Sequence, residues 1–234
     1  MKKRSTARKR STWGTIRRVA LWLFIGQLVY IIVCKWINPP ITITQVVDVV
    51  KGYGLKKDNI AYDAMGPNIK LAVMAAEDQL FPDHNGFDVK AIKKAQKYNE
   101  KNPNRVRGAS TISQQTAKNV FLWQGGSYFR KGLEVYFTFM IEMLWSKERI
   151  LQTYLNVAEM GPGIFGVQAA AKHYFKKDAK NLTRTEAAQI AACLRNPKKY
   201  TIKPMSRFVT VVSAKVLRQM NNLQGDPEVK ALIK

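Results

Sequence analysis

Two adjacent acids at the end of an apolar run are the first residues of this sequence that could do chemistry. Residues 69–76 read Ile-Lys-Leu-Ala-Val-Met-Ala-Ala, and Glu77 and Asp78 follow them directly. Pro67 suits the first turn of a helix here, and Pro82 is expected to end it. Burial and the negative end of the helix dipole both raise the pKa of a carboxyl group. Glu77 could therefore act as a general base at neutral pH. The alternative is a pair of acids within a salt-bridge network.

A second stretch has the residue types that bind an anion. Gly108 is followed by Ser110 and Thr111, either of which can cap the next helix, and Lys118 lies further along that helix. Hydroxyls and free N–H groups at a helix N-terminus attract negatively charged groups. Ordinary capping beside a solvated lysine explains the same pattern, so this signal is weak by itself.

A third group places two cations beside an acid. Arg130 and Glu134 are four residues apart and Lys131 and Glu134 three apart, so all three share one side of a helix. A surface ion pair is the alternative, and it would contribute only about 0 to 1 kcal/mol. The helix is apolar around much of its circumference, however, which indicates that it is mostly buried. A charge cluster on a buried helix favours a functional role.

Helices are the elements predicted to position these groups. Asp88 is expected to cap one helix, and Ser127, Ser146 and the capping box that starts at Thr183 are expected to cap others. Residues 41–50 could form a strand or an amphipathic helix, and residues 51–66 and 161–166 are predicted as loops. The predicted helices cover residues 67–81, 88–99, 111–122, 127–145, 147–156, 167–175, 183–194 and 204–222, with the last ten residues marginal.

The charge of the chain restricts its partners. The 234 residues carry a net charge of +23, and no acid precedes Asp48. Eight basic residues precede the first apolar run, so a net charge of +15 remains for the rest of the chain. A basic domain of this kind implies nucleic acid, an anionic membrane surface or a phosphate-bearing substrate. Cys34 and Cys193 are more consistent with packing positions than with a disulfide.

The first apolar run predicts a membrane anchor. Residues 19–34, extended to residue 37, are long enough to cross a bilayer, with Gln27 as the one strongly polar side chain. The basic N-terminal side predicts that this end stays in the cytoplasm. A cleaved signal peptide is the alternative, but no small-x-small site follows Cys34. We predict a basic cytoplasmic tail at residues 1–18 and a transmembrane anchor at residues 19–37. A membrane-proximal linker at residues 38–66, a catalytic domain at residues 67–225 and a C-terminal tail at residues 226–234 are predicted to follow.

The sequence resembles the peptidoglycan glycosyltransferases that polymerise lipid II, and it is most similar to the monofunctional biosynthetic transglycosylases. Four stretches match this family in order and spacing, and a weaker fifth follows at residues 161–170. The four are Glu77-Asp78-x-x-Phe81-x-x-His84-x-Gly86, Gly108-Ala109-Ser110-Thr111-Ile112-Ser113-Gln114-Gln115 with Lys118-Asn119, Arg130-Lys131-x-x-Glu134, and Lys147-x-x-Ile150-Leu151-x-x-Tyr154-Leu155-Asn156. Two positions depart from it: Ala109 replaces a common glycine, and Arg195 replaces a common proline.

The resemblance implies a mainly α, lysozyme-like domain with a small membrane-apposed lobe. It implies that Glu77 is the general base and that Lys118, Arg130 and Lys131 stabilise a departing diphosphate. It also implies that Glu134 is a second essential acid, which either orders the basic cluster or helps to hold a metal on the diphosphate. The remaining substrate-binding assignments are Ser110, Thr111, Gln114 and Gln115 on the donor side, Asp78, Phe81 and His84 around the base, and Asn156.

The resemblance also predicts the ligands and the location. The substrates are lipid II and the growing glycan chain, and the location is the bacterial inner membrane, crossed once, with the catalytic domain outside the cytoplasm. No tightly bound cofactor and no protein-held metal site are expected, although Mg²⁺ or Mn²⁺ could accompany the diphosphate. His84 lacks a second metal ligand at suitable spacing. Other cell-wall synthesis proteins are candidate partners, and nucleic acid is not.

Two other functions fit part of the sequence. A lysozyme-type hydrolase would use Glu77 as an acid, but it would have no need for the cations at Lys118, Arg130 and Lys131. A membrane-tethered nucleic-acid binder would fit the charge. The chain has no zinc-finger, helix-turn-helix or RNA-binding aromatic signature, which argues against this function.

Overall fold

The structure is a computed structural model that describes residues 12–104 and 106–234. The described residues divide into two compact units, with the boundary between residues 37 and 38. Six of the eight basic residues predicted to form the cytoplasmic tail lie outside the described residues. The prediction of a mainly helical chain is confirmed.

The first unit contains one long helix, α1, at Thr12–Val33. It begins seven residues before the apolar run and includes Arg17 and Arg18. With a rise of 1.5 Å per residue, its 22 residues extend about 33 Å. The helix is therefore long and apolar enough to cross a membrane.

The second unit contains the other helices and one small sheet. Its helices are α2 Ile43–Val50, α3 Pro67–Glu77, α4 Val89–Lys101, α5 Ile112–Phe121, α6 Tyr128–Leu144, α7 Lys147–Val157, α8 Val167–Phe175, α9 Arg184–Cys193, α10 Arg207–Leu223 and α11 Pro227–Ile233. Short 3₁₀ turns lie at Asp63–Met65 and Ala179–Asn181. The choice left open for residues 41–50 is thus settled as a helix.

Helix α3 runs through the middle of the core. Every residue from Ile69 to Ala75 is buried, and α9, α10 and α11 pack against the helix. A second layer forms where α6 and α7 pack on α5. Glu77 is the last residue of α3, so the buried core determines where its carboxylate lies.

A three-stranded sheet was missing from the sequence-based prediction. Its strands are β1 Lys56–Lys57, β2 Glu159–Gly161 and β3 Ile164–Phe165, in the order β1-β3-β2. β3 pairs parallel with β1 and antiparallel with β2. The turn depends on Gly163 at φ 65°, because a Cβ there would lie 2.2 Å from the carbonyl oxygen of Tyr53.

Two helix boundaries and the last residues of the chain differ from the prediction. α3 ends at Glu77, before Pro82, because Asp78 leaves the helical conformation at φ −162° and ψ 86°. α10 begins at Arg207 after the cap Ser206. The last residues form α11, in which Val229 and Leu232 are buried, so this segment packs against the core. The capping predictions at Asp88, Ser127, Ser146 and Thr183 are confirmed. Cys34 and Cys193 are both buried, and neither takes part in a disulfide bond within the described residues.

Candidate active site

Glu77 lies half-buried at the C-terminal end of α3, at the start of a chain of hydrogen bonds. The amide nitrogen of Gln115 on α5 donates to Glu77 Oε2 at 2.7 Å. The hydroxyl of Tyr154 on α7 donates in turn to Gln115 Oε1 at 3.0 Å. Three helices therefore fix the orientation of one carboxylate, and its other oxygen remains available to a ligand.

The environment raises the pKa of Glu77. Burial is the largest cause, and Asp78 adds to it. The Gln115 hydrogen bond, Lys118 and Arg195 act in the opposite direction because they stabilise the charged form. The pKa still lies above the ordinary value near 4.5. Glu77 is therefore a stronger base than an exposed glutamate.

Replacing Gln115 by leucine should move the acid limb of the pH–rate profile to higher pH. The substitution removes a hydrogen bond that favours the Glu77 carboxylate, so the pKa of Glu77 rises further. Tyr154→Phe frees the Gln115 amide without removing it, so a smaller shift in the same direction is expected. Initial rates measured across pH test both variants. An unchanged acid limb in Gln115→Leu would show that the limb does not report on Glu77.

A cationic cluster lies on one side of α6. Arg130 donates to Glu134 Oε2 at 2.8 Å, and Lys131 donates to Glu134 Oε1. Glu134 is 3 % exposed and Arg130 is also buried, whereas the Lys131 side chain is 45 % exposed. The predicted shared face of these three residues is thus present. The accessible positive charge of the cluster lies at Lys131.

Lys118 connects the cluster electrostatically to Glu77. Its pKa is lowered, mainly by burial, and Arg130 and Lys131 contribute to the lowering. Glu134 and Glu77 both act in the opposite direction. Both carboxylates are therefore close enough to Lys118 to influence its charge. Lys118 therefore couples the base and the cationic cluster electrostatically.

The residues after Glu77 form a buried framework. Asp78 accepts from the backbone N–H of Ile112 at 2.9 Å and pairs with His84 Nε2 at 3.0 Å. The other ring nitrogen of His84 accepts from the backbone N–H of Gly86 at 3.1 Å. Both His84 nitrogens are thus used within the protein. Phe81 is fully buried, with Lys147 Nζ 4.7 Å from its ring centroid.

The same framework uses two residues that were predicted to line the donor side. Thr111 is the N-cap of α5, and its hydroxyl also donates to the Gly86 carbonyl at 2.7 Å. Gln114 completes the capping box and is buried. Gly86 has φ 87°, and a Cβ there would lie 2.8 Å from the Thr138 methyl group. These contacts position the loop after Glu77, and Asp78 and Thr111 also line a cavity beside Glu77.

The assignment of Asn156 to substrate binding is corrected. Its side chain is fully buried and uses both ends of its amide on the backbone of Ile60. Ile60 N–H donates to the Asn156 Oδ1 at 3.0 Å, and Asn156 Nδ2 donates to the Ile60 carbonyl at 3.0 Å. Asn156 therefore holds the loop before α3 and has no free group for a ligand.

One cavity is lined by Glu77, and a second is lined by its hydrogen-bond partner Gln115. One, of about 380 Å³, lies between the end of α3 and α4 and is lined by Glu77 and Ser110 among others. The other, of about 250 Å³, is lined by Gln115 and Lys118 among others. Both contain basic residues that sequence reasoning missed, namely Lys94 and Arg107 in the first and Arg195 and Lys198 in the second. Their only signal in the sequence was positive charge.

An ion cluster forms the wall of the second cavity. Lys198 Nζ lies 2.5 Å from Asp48 Oδ1 and 3.3 Å from Glu159 Oε1. Burial and the neighbouring Asp48 raise the pKa of Glu159 to about 7. Asp48 is on α2 and Glu159 on β2, so the cluster joins α2 to the small sheet.

The donor set at Glu134 does not suit a metal ion. Both of its carboxylate oxygens are occupied by Arg130 and Lys131. Among residues 12–104 and 106–234, no group of three or more His, Cys, Asp or Glu side chains is arranged to hold a metal. The positive charge at this site is supplied by basic side chains.

A general base beside a cluster of cations suits a group transfer with an anionic leaving group. The chain belongs to the transglycosylase family, whose model, described as "Transglycosylase", matches residues 44–221. The resemblance noted in the sequence is confirmed.

Curated relatives show the same relationship. The biosynthetic peptidoglycan transglycosylase of Mannheimia succiniciproducens is 58 % identical over 171 residues, covering 73 % of this chain and 70 % of the relative. Those of Escherichia coli O157:H7 strain EC4115 and Shigella boydii serotype 4 are each 55 % identical over 175 residues, covering 75 % of this chain and 72 % of the relative.

Proposed function

We propose that this enzyme polymerises lipid II into β-1,4-linked glycan strands of peptidoglycan by inverting transfer, with release of undecaprenyl diphosphate. Family membership and the named relatives support glycan polymerisation. The observation that carries the proposal is the wall of the second cavity, where Gln115, which donates a hydrogen bond to Glu77, lies beside Lys118. The electrostatic influence of Glu77 and Glu134 on the pKa of Lys118 agrees with this arrangement.

The proposed reaction is a single displacement. Glu77 takes the proton from the 4-hydroxyl of the acceptor sugar as that oxygen attacks the anomeric carbon of the growing chain. The bond from this carbon to the diphosphate breaks, and its electron pair leaves on the diphosphate oxygen. One displacement at one carbon inverts its configuration. The raised pKa of Glu77 suits this role, because the base becomes a better proton acceptor.

Cations stabilise the charge that develops on the leaving group. Lys131 is partly exposed and can reach a ligand, whereas Arg130 and Lys118 are more buried. In a partly desolvated site such groups act more strongly than in water. No step is assigned to Mg²⁺ or Mn²⁺.

The location follows from the anchor. We propose that α1 crosses the inner membrane once, with its N-terminus in the cytoplasm and the catalytic unit outside. The positive residues before the apolar run support this orientation. Protease added to spheroplasts should remove the catalytic unit and spare a tag at the N-terminus; protection of the catalytic unit would contradict the orientation.

Apolar side chains near the cationic cluster support a site that opens at the bilayer. Trp123, Tyr128, Phe129, Phe139 and Met143 are exposed around and along α6. Such a surface suits contact with lipid. Phe121 does not belong to this surface, because its ring is half-buried and stacks on Phe137 with centroids 4.7 Å apart.

Purified lipid II and mature sacculi separate polymerisation from hydrolysis. The full chain in lipid vesicles should convert lipid II into polymer and release undecaprenyl diphosphate, leaving sacculi intact. Release of short sugars from sacculi without polymer from lipid II would identify a hydrolase instead. The cations around Glu134 favour the transferase, since a hydrolase has no diphosphate to stabilise.

Replacing Lys131 by alanine should lower turnover more than it lowers lipid II binding. Lys131 is the exposed cation of the cluster, so its loss removes charge stabilisation that grows as the diphosphate departs. A loss of about 10² in kcat is expected, as for one donor removed from a site of developing charge. Steady-state polymerisation kinetics measure kcat and KM separately. Lys215→Ala, which removes an exposed lysine of α10, is the control. Unchanged kcat in Lys131→Ala would remove Lys131 from the mechanism.

A further inference from the structure

Helix α2 has its polarity reversed relative to a helix of a water-soluble protein. Its polar residues Thr44, Gln45 and Asp48 face the protein and are buried, with Gln45 and Asp48 0 % and 1 % exposed. Its apolar residues face outward. The exposed set is Ile43, Val46, Val47, Val49 and Val50, and Val50 is 81 % exposed. Surface helices ordinarily place such apolar residues against the core.

The inward face of α2 is held by specific polar contacts. Gln45 forms a capping box with Thr42, and Gln124 donates to Thr44 Oγ1 at 3.0 Å. Lys198 donates to Asp48 Oδ1 at 2.5 Å. These bonds fix the rotation of the helix about its own axis. The outward position of the valines is therefore a consequence of how α2 is attached to the catalytic unit.

The position of α2 in the chain indicates what covers the valines. The helix begins ten residues after α1 ends, and α1 is the helix long enough to cross a membrane. The carbonyl groups of Pro39 and Pro40, which lie between the two helices, accept bonds from Lys57 Nζ at 2.8 Å each. This attachment ties β1 to the segment that leaves the anchor. A segment so close to a membrane span stays near the bilayer surface.

The flanks of α2 fit the interfacial region of a bilayer. Ile41, Tyr53 and Leu55 extend the exposed apolar surface at its two ends. Lys51 and Lys56 are exposed beside them and complement anionic headgroups. Eight residues extend only about 12 Å, too short to span a hydrocarbon core of about 30 Å. The length and composition match a helix that lies in the plane of the interface.

We infer that α2 is an interfacial helix that inserts its valine face into the boundary between headgroups and acyl chains. This inference rests on the proposed membrane anchoring by α1. Two residues that bind the inner face of α2, Gln124 and Lys198, also line the second cavity near Glu77. Contact between α2 and lipid would thus set the height of that cavity above the bilayer.

Spin-label depth measurements on the full chain in vesicles of phosphatidylethanolamine and phosphatidylglycerol test this inference. Single nitroxide labels are placed at Val46 and Val50, in a background in which Cys34 and Cys193 are alanine. Val211 on α10, an exposed valine at 49 %, is the matched control, and Leu23 on α1 reports insertion of the anchor. Labels at Val46 and Val50 should be accessible to oxygen and shielded from a water-soluble nickel chelate, at a shallower depth than Leu23. The label at Val211 should show the opposite pattern.

Each alternative outcome has a distinct meaning. If Val46 and Val50 resemble Val211 while Leu23 lies in lipid, the inference about α2 is overturned and the anchoring stands. If Leu23 is also exposed to water, the proposed anchoring fails. If Val46 and Val50 are shielded from both reagents, a second copy or another protein covers α2, and the inference is overturned.

A functional comparison keeps the test independent of labelling. The double variant Val46→Glu and Val50→Glu should lose polymerisation severalfold in vesicles and retain it in detergent micelles, where no bilayer surface exists. Val211→Glu should match the parent in both, and thermal unfolding checks that all variants fold. Equal rates of the double variant and the parent in vesicles would overturn the inference.

Discussion

Replacing Glu77 by glutamine is expected to reduce polymerisation of lipid II by about 10² to 10⁴, the usual cost of losing a positioned general base. Glutamine has the shape of glutamate, and its side-chain oxygen can still accept the bond that Gln115 donates. The hydrogen-bond chain through Gln115 to Tyr154 would remain, so the fold should be intact. What disappears is the capacity to accept a proton from the acceptor hydroxyl.

Initial rates of polymer formation and of diphosphate release measure this effect. Glu100→Gln, an exposed change on α4, is the matched control and should leave both rates unchanged. A thermal unfolding midpoint close to that of the parent would exclude misfolding as the cause. Substantial residual polymerisation in a folded Glu77→Gln protein would show that another group takes the proton.

The pKa shifts of Glu77 and Lys118 have opposite directions and the same main cause. Burial raises the pKa of Glu77 and lowers that of Lys118, because it disfavours the charged form of each. The proposed reaction requires an ionised Glu77 and a protonated Lys118. It should therefore proceed above the raised pKa of the first and below the lowered pKa of the second. The result is a bell-shaped pH dependence narrower than exposed groups would give.

Local sequence signals predicted the features that depend on neighbouring residues. The capping residues Asp88, Ser127 and Ser146 each accept a hydrogen bond from the backbone N–H three residues further on. The side shared by Arg130, Lys131 and Glu134 follows from helix geometry alone. Interactions between residues three or four positions apart can be predicted from a single sequence.

Features made by distant residues were not predictable in the same way. β1 pairs with β3 across more than one hundred residues, and each strand has only two residues. Asn156 matches a family stretch, but its role depends on the loop at Ile60, which no local pattern places beside it. Arg195 was noted only as a departure from the family, whereas the fold places it in the wall of a cavity next to Glu77. The strand pairing, the role of Asn156 and the position of Arg195 all depend on tertiary packing.

Replacing Glu134 by glutamine should weaken both the fold and the reaction. Glu134 is buried and forms ion pairs with Arg130 and Lys131. The substitution removes the negative charge of Glu134, so the positive charge of the buried Arg130 is no longer neutralised. Loss of one partner of a buried ion pair costs about 3–5 kcal/mol, and glutamine should reduce this loss because it keeps one hydrogen-bond acceptor. Misplaced cations should lower kcat by about 10² to 10³, as expected when charge stabilisation is removed. Thermal unfolding and steady-state kinetics measure the two effects.

The pH dependence of Glu134→Gln separates electrostatics from simple loss of structure. The charge of Glu134 raises the pKa of Lys118 and opposes the lowering caused by burial, Arg130 and Lys131. Without that charge the pKa of Lys118 falls further, so the basic limb of the pH–rate profile should move to lower pH. A merely destabilised enzyme would lose rate at every pH at which it is folded, with the limb unmoved. Glu100→Gln should shift neither limb. If the basic limb is unchanged in a folded Glu134→Gln protein, the charge of Glu134 does not affect the pKa of Lys118. The proposed electrostatic coupling between the cationic cluster and the base would then be wrong.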